Sequence, residues 1–262
     1  MTAVLRSEAI KLRTVRSTTW SLLLFASVSV LFTALYCEGA STTGGSPGHP
    51  GDNDIIMDSL TGVWYGQIAL AVLAVLAITS EYSTGMIRAT LAATPRRRAV
   101  LATKGVILGF VALVLGFVVT AACFQVGQEL LRRNGFNFDH GYPAASITDG
   151  EAFRAVGGTT LYLGALVLFS LGVGALVRRT AGAITIVLLA VLAPVVAISF
   201  LPDNLSEPVE KFSLIGAGLS IQQTVEREDN IPLEPAAGLA VVGAYAAVAL
   251  LVALWSIGRR DA

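Results

Sequence analysis

The chain has 262 residues, of which 54% are hydrophobic and only 14% are charged, and its mean hydropathy is +0.71. A soluble domain carries roughly 25% charged residues, so the low charge favours a chain that folds in lipid. The formal net charge of zero argues against a nucleic-acid partner. The two cysteines, Cys37 and Cys123, form neither a C-x-x-C motif nor a disulfide framework.

Six apolar stretches are long enough to cross a bilayer as helices, which takes about 20 residues for roughly 30 Å of hydrocarbon. None of these stretches contains Lys, Arg, Asp or Glu in its interior, which argues against a proton-coupled transporter. We therefore predict an all-α membrane protein that forms a single six-helix transmembrane domain. The predicted spans are 18–36, 60–79, 105–126, 156–177, 181–201 and 236–257.

The basic residues predict the orientation of the spans. With a cytoplasmic N-terminus, 13 of the 18 lysines and arginines fall in cytoplasmic segments. Such an excess of positive charge is typical of the cytoplasmic side of membrane proteins. We therefore predict that both termini are cytoplasmic. The five basic residues expected outside are Arg132, Arg133, Arg154, Lys211 and Arg227.

Residues 1–17 predict an amphipathic helix that lies in the inner membrane interface. Leu5, Ala9 and Leu12 recur at helical spacing and share one face. Lipid headgroups are expected to contact the basic side, which includes Arg6, Lys11 and Arg13. The alternative is a basic flank of the first span that only follows the positive-inside rule.

The cytoplasmic segment 80–104 predicts a short ordered helix after the second span. Glu81 stands where the chain leaves the membrane, and Met86, Ile87 and Leu91 provide apolar contacts. A connection that only joined two spans would not need an apolar helix in water. The segment therefore implies a protein partner below the membrane.

The end of the same segment predicts the start of an extended third helix. Thr94 suits the N-cap position and Pro95 suits the first helical position. Arg96, Arg97 and Arg98 follow at once, and we expect them to contact anionic lipid headgroups.

The outer connections differ in character. Residues 37–59 are rich in Gly, Ser and Pro, and we expect them to be flexible. Residues 202–235 contain an apolar patch at 212–221 between acidic stretches. The patch is too short to span a bilayer, so it predicts an interfacial or re-entrant outer segment.

Together these features resemble the ABC-2 type permeases, the membrane subunits of bacterial ABC exporters. Residues 8–12, Glu-Ala-Ile-Lys-Leu, resemble that family's elbow helix. Residues 80–88, Ser-Glu-Tyr-Ser-Thr-Gly-Met-Ile-Arg, with the Pro-Arg-Arg-Arg turn at 95–98, are similar to the family's E-x-x-x-G-[TM]-hydrophobic-R stretch. The long outer segment before the last span is the third likeness. The abundant Ala, Val, Leu, Gly and Arg residues are typical of a high-GC, actinobacterial-like bacterium.

The resemblance implies that the cytoplasmic helix docks on a separate ATP-binding subunit, whose closure tilts the bundle from inward-open to outward-open. Glu81 and Arg88 are seven residues apart, two turns along one helical face, and are expected to form ionic contacts with that subunit. The alternative is a solvated charged face. The coupling residues carried over from the family motif and its surroundings are Glu81, Tyr82, Gly85, Met86, Ile87, Arg88 and Leu91.

The sequence contains no G-x-x-x-x-G-K-[ST] motif, so ATP hydrolysis is expected on a partner subunit and this chain is not expected to be an enzyme or to hold a cofactor. The favoured function is a permease in the bacterial plasma membrane, paired with itself or with a sister permease. Its substrate is expected to be an amphipathic drug-like molecule, peptide or lipid. The alternatives are a membrane anchor or interaction protein without transport, and a membrane-embedded enzyme.

Overall fold

The computed structural model describes residues 16–40, 54–85, 97–137, 142, 145–225 and 233–259. In these residues all regular structure is helical and no strand is present. The helices are α1 (Arg16–Gly39), α2 (Ile55–Ser59), α3 (Thr61–Ser83), α4 (Arg97–Arg133), α5 (Gly150–Val177), α6 (Thr180–Ile198), α7 (Asp203–Phe212), α8 (Leu214–Leu219), a 3-10 turn (Ser220–Gln222) and α9 (Pro235–Arg259).

Six of the helices in the described ranges are long and apolar enough to cross a membrane: α1, α3, α4, α5, α6 and α9. The prediction of a helical chain with six candidate membrane spans is therefore confirmed. This architecture indicates a multi-pass membrane protein, because a helix satisfies its own backbone hydrogen bonds in lipid.

Contacts between the helices distinguish the two ends of the bundle. At one end the last turn of α3 lies beside the start of α4 and the α5–α6 turn. We call it the basic end, because Arg98, Lys104, Arg178 and Arg179 lie there. The opposite end, called the loop end, carries α2, α7 and α8.

Helix α5 forms the centre of the bundle and packs against α3, α4, α6 and α9, whereas α1 lies mainly on α3. The α1–α3 contact is close because Gly62 has no side chain. A Cβ atom at Gly62 would lie 1.8 Å from the backbone oxygen of Ser29. Small residues allow membrane helices to approach in this way. Spans α1 and α6 are the least buried, and their outward apolar side chains include Leu24 and Leu189.

The outer connection expected to be flexible contains a helix where it is described. Asp54 caps α2, because its Oδ1 atom accepts a hydrogen bond of 3.0 Å from the Met57 backbone N–H. The end of α4 also bonds to this region, through Gln128 Nε2 and Ser59 Oγ at 3.0 Å. The expectation of flexibility is therefore wrong for residues 54–59, because these tertiary hydrogen bonds order them.

The apolar patch at 212–221 does not form one continuous helix. Ser213 ends α7 and caps α8, since the Gly216 backbone N–H donates to Ser213 Oγ at 2.9 Å. The chain then turns into the bundle, where Leu214 and Ile221 are buried. Phe212, before the turn, is 53% exposed. The patch therefore divides into a part packed on protein and an outward-facing part.

Candidate functional site

A buried ion pair joins α3 to α4 at the basic end. Lys104 Nζ lies 3.0 Å from Glu81 Oε1, and the two side chains are only 7% and 3% exposed. Helix α3 ends two residues after Glu81, whereas α4 begins at Arg97, about two turns before Lys104. The two charged groups therefore meet inside the bundle, about two helical turns along α4 from its first residue.

The last turn of α3 also contacts the α5–α6 turn. The guanidinium carbon of Arg178 lies 5.3 Å from the centre of the Tyr82 ring, which is a cation–π arrangement. Thr180 Oγ1 donates a hydrogen bond of 3.0 Å to Thr79 Oγ1. Arg178 has φ 59, so a tight left-handed turn ends α5 and places its side chain over the ring. The last turn of α3 thus contacts both helix α4 and the α5–α6 turn.

Three of the predicted coupling residues lie in the described part of the chain. Glu81 is buried, so its carboxylate faces Lys104 instead of solvent. Tyr82 lies under Arg178, and Gly85 has φ 71 beyond the end of α3. The predicted continuous face from Glu81 to Arg88 is therefore wrong, because α3 ends at Ser83 and the positive φ of Gly85 breaks the helical path. The coupling residues outside the described ranges are Met86, Ile87, Arg88 and Leu91.

The predicted lipid-contacting residues are placed in part. Arg98 is exposed in the first turn of α4, and Arg97 is the first residue of that helix. The expected helix over residues 1–17 lies outside the described residues, apart from the start of α1 at Arg16. The remaining predicted headgroup contacts outside the described ranges are Arg6, Lys11, Arg13 and Arg96.

Lys104 is a member of this ion pair that the sequence did not single out. It was counted only as one cytoplasmic positive charge, yet it provides the partner of Glu81. A signal was present: Glu81 is a single acid at the end of the second span, and Lys104 is a single base at the start of the third. Opposite charges at the same end of adjacent apolar helices attract each other more strongly where water is excluded, because the local dielectric constant is low.

Other polar contacts inside the bundle hold helices together. The Tyr162 hydroxyl on α5 donates to Gln67 Oε1 on α3, and both residues are fully buried. Gln222 Nε2 donates to Thr159 Oγ1 at 3.0 Å, which fixes the 3-10 turn against α5. Over the described ranges, no cluster of three or more His, Cys, Asp or Glu residues could hold a metal ion.

No protein-family model matches the chain, and no curated protein matches it. The fold defines the class: a multi-pass helical membrane protein with six candidate spans.

Proposed function

We propose that the chain is the membrane-spanning subunit of an ATP-driven exporter of the ABC-2 type. It takes its energy from a separate ATP-binding subunit and moves an amphipathic substrate across a bacterial plasma membrane. The proposal rests chiefly on the Glu81–Lys104 pair, which links the two helices on either side of segment 86–96. In this proposal that segment is the docking element, as the motif at 80–88 suggests.

The ion pair explains how force on one short segment would move two spans. A push on segment 86–96 reaches α3 and α4 together, because separating Glu81 from Lys104 breaks an ion pair whose two side chains are buried. Breaking such a buried pair costs about 3–5 kcal/mol. The linked helix ends therefore respond as one unit and not as two independent helices.

The contacts of α3 carry the same displacement further into the bundle. Tyr82 and Thr79 touch the α5–α6 turn through Arg178 and Thr180. Helix α4 has 37 residues and is therefore roughly 55 Å long, well beyond the thickness of the bilayer core. Such a helix is suited to link a cytoplasmic movement to the opposite end of the bundle.

The orientation in the membrane and the neighbours of the outer helices follow from the same proposal. The basic end faces the cytoplasm, where Arg98 contacts anionic headgroups. The outward apolar faces of α1 and α6 contact lipid and a second permease subunit, either identical or related.

Affinity capture tests the proposal. The tagged chain is purified from membranes of its native host in mild detergent, and bound proteins are identified by mass spectrometry. We expect a protein with a Walker A motif to be captured in stoichiometric amounts. The variant Ile87→Asp should lower its recovery at least tenfold, because a charge then enters the proposed apolar contact.

The matched control is Leu205→Asp, which places the same charge on an exposed apolar position of α7 at the loop end. It should leave the capture unchanged. Absence of any Walker A protein from the wild-type sample would contradict the transporter proposal and favour a membrane anchor without transport. Equal loss in both variants would remove segment 86–96 as the docking element.

A further inference from the structure

A cavity of about 240 Å³ lies at the loop end, between α3, α6 and the segment formed by α7 and α8. We infer that this cavity binds one linear alkyl chain of about eight carbon atoms, carried by a molecule with a polar head group. The interpretation of such a molecule as transported cargo rests on the proposed function, whereas the binding site itself does not.

The walls of the cavity suit an alkyl chain. Their apolar side chains include Trp64 on α3, Val195 and Ile198 on α6, and Ile215 and Leu219 on α8. At roughly 30 Å³ for each water-sized group, the volume corresponds to about eight such groups. A methylene group is close to that size, so a chain of about eight carbon atoms fills the cavity.

Two serines in the lining present little polarity to a ligand, because both hydroxyl groups already bond to the backbone. Ser213 Oγ donates to the Glu210 backbone oxygen at 3.0 Å and accepts from the Gly216 backbone N–H at 2.9 Å. Ser220 Oγ donates to the Ala217 backbone oxygen at 2.8 Å. Since a hydroxyl group has a single proton to donate, neither serine has one left for a ligand. A hydrocarbon can therefore lie beside them.

The other polar lining residues favour a head group over a plain hydrocarbon. Glu210, Lys211 and Gln223 also line the cavity. A hydrocarbon against such groups displaces water without replacing its hydrogen bonds, which is unfavourable. A hydroxyl or another polar head restores hydrogen bonds at that place. Apolar walls with a few polar groups are the usual composition of small-molecule sites, so the ligand class is a single-chain amphiphile.

Asp54 holds two sides of the cavity in place. The lining residues Met57 and Gln223 come from segments far apart in the chain. Asp54 Oδ1 accepts hydrogen bonds from the Met57 backbone N–H at 3.0 Å and from Thr224 Oγ1 at 2.7 Å. Its Oδ2 atom accepts from the backbone N–H groups of Thr224 at 2.5 Å and Val225 at 3.1 Å. This buried carboxylate joins the two lining segments, so the cavity is formed before a ligand enters, as is usual for small-molecule sites.

Binding is measured on the purified full chain in lipid nanodiscs, without any ATPase subunit. The probes are bromobutanol, bromohexanol, bromooctanol and bromododecanol, with bromine at the chain end, because bromine quenches the fluorescence of a tryptophan that it touches. The variant Trp20→Phe with Trp255→Phe keeps only Trp64, which lines the cavity. The reference variant Trp64→Phe with Trp255→Phe keeps only Trp20, which is 71% exposed.

We expect the quenching of Trp64 to saturate, whereas the quenching of Trp20 should rise in proportion to the probe dissolved in the lipid. The affinity at Trp64, referred to the free aqueous concentration, should rise about fourfold for each methylene group from bromobutanol to bromooctanol, because each group leaves water for an apolar wall. It should then level off, since the chain of bromododecanol is longer than the cavity can hold.

A pair of variants in the Trp64-only background localises the site. Val195→Phe fills the cavity and should weaken the saturable binding of bromooctanol at least tenfold. Val196→Phe, at a neighbouring position that is 59% exposed, should leave it unchanged. If Val195→Phe does not fold, Ile198→Phe on the same wall takes its place.

Nanodiscs made with a phosphatidylcholine brominated on its acyl chains distinguish two sources of the alkyl chain. If a lipid tail occupies the cavity, this lipid quenches Trp64 in the Val195 background and loses that effect in Val195→Phe. If a small amphiphile is the ligand, Val195→Phe changes the quenching by bromooctanol alone.

Quenching of Trp64 that fails to saturate, as at Trp20, would overturn the inference. So would saturable binding of bromooctanol that is unchanged in Val195→Phe, or an affinity that keeps rising to bromododecanol. Because no ATPase takes part, failure here leaves the capture of a Walker A protein unaffected. Failure of that capture likewise leaves the binding result standing.

Discussion

Replacing Lys104 with methionine removes the cation that faces Glu81 inside the bundle. The two charged atoms are 3.0 Å apart and both side chains are almost wholly buried. With an effective dielectric constant of about 20, Coulomb's law gives a gross attraction of roughly 5–6 kcal/mol at that distance. The cost of desolvating both charges offsets much of this attraction, so the intact pair contributes little net stability.

The variant nevertheless loses much more than the net value of the pair, because Lys104 then no longer compensates the buried carboxylate of Glu81. We expect Lys104→Met to lower the free energy of unfolding by about 3–5 kcal/mol. On the scale of about 2–4 °C per kcal/mol for domains of this size, Tm falls by about 6–20 °C. The double variant Glu81→Leu with Lys104→Met removes both charges and should recover most of the loss.

Thermal unfolding in a single detergent measures these differences, and the loss of the monodisperse peak is the signal that monitors it. The control is Lys211→Met, which breaks an ion pair whose acid, Glu207, is 63% exposed. Exposed pairs of this spacing contribute about 0.3–0.5 kcal/mol, so its Tm should stay within about 2 °C of the wild type. A double variant no more stable than Lys104→Met alone would refute the reasoning, as would a wild-type Tm for Lys104→Met.

Two further predictions concern topology and packing. In a background without the native cysteines, Thr148→Cys should react with a membrane-impermeant maleimide in intact cells, and Thr84→Cys only after permeabilisation; the reverse pattern would contradict cytoplasmic termini. Gly62→Ala should destabilise the bundle by about 1–3 kcal/mol, because its Cβ would meet the Ser29 backbone oxygen. In Gly157→Ala, where no atom lies within 4 Å of the added Cβ, a comparable loss of Tm would show that the α1–α3 contact is not the cause.

The six spans could be predicted because each one is a long apolar run that needs no distant partner to be recognised. Their ends could not be predicted with the same success. Helix α1 extends to Gly39, where Asn134 Nδ2 donates to the Cys37 backbone oxygen at 2.8 Å. Contacts of this kind join residues almost a hundred positions apart, and hydropathy does not encode them.

Only part of the candidate site could be predicted from the sequence. The motif at 80–88 directed attention to Glu81, but it suggested a surface residue that meets another protein. Whether Glu81 faces out or in depends on where α3 ends and on where α4 begins, and the two helices meet only in the folded bundle. The contact joins residues 23 positions apart, so it is not a local one, and its signal in the sequence was one opposite charge at each of the two span ends.

The structure of the loop end could likewise be predicted only in part. An apolar patch at 212–221 was recognisable, but its division by Ser213 depends on a single capping hydrogen bond. The cavity beside it combines residues from α3, α6 and α8, together with segments that Asp54 holds in place. Such a cavity arises from tertiary packing, and its lining residues share no spacing in the sequence.

Photo-crosslinking from position 87 tests the central proposal most directly. A benzophenone amino acid replaces Ile87 in the tagged chain, in native membranes, and a control chain carries it instead of Phe200, which is 83% exposed at the loop end. We expect illumination to join position 87 to a protein that contains a Walker A motif, with a yield that changes when ATP is added. Position 200 should give no such product. Absence of a Walker A protein among the products of position 87, or equal yields from both positions, would contradict the account.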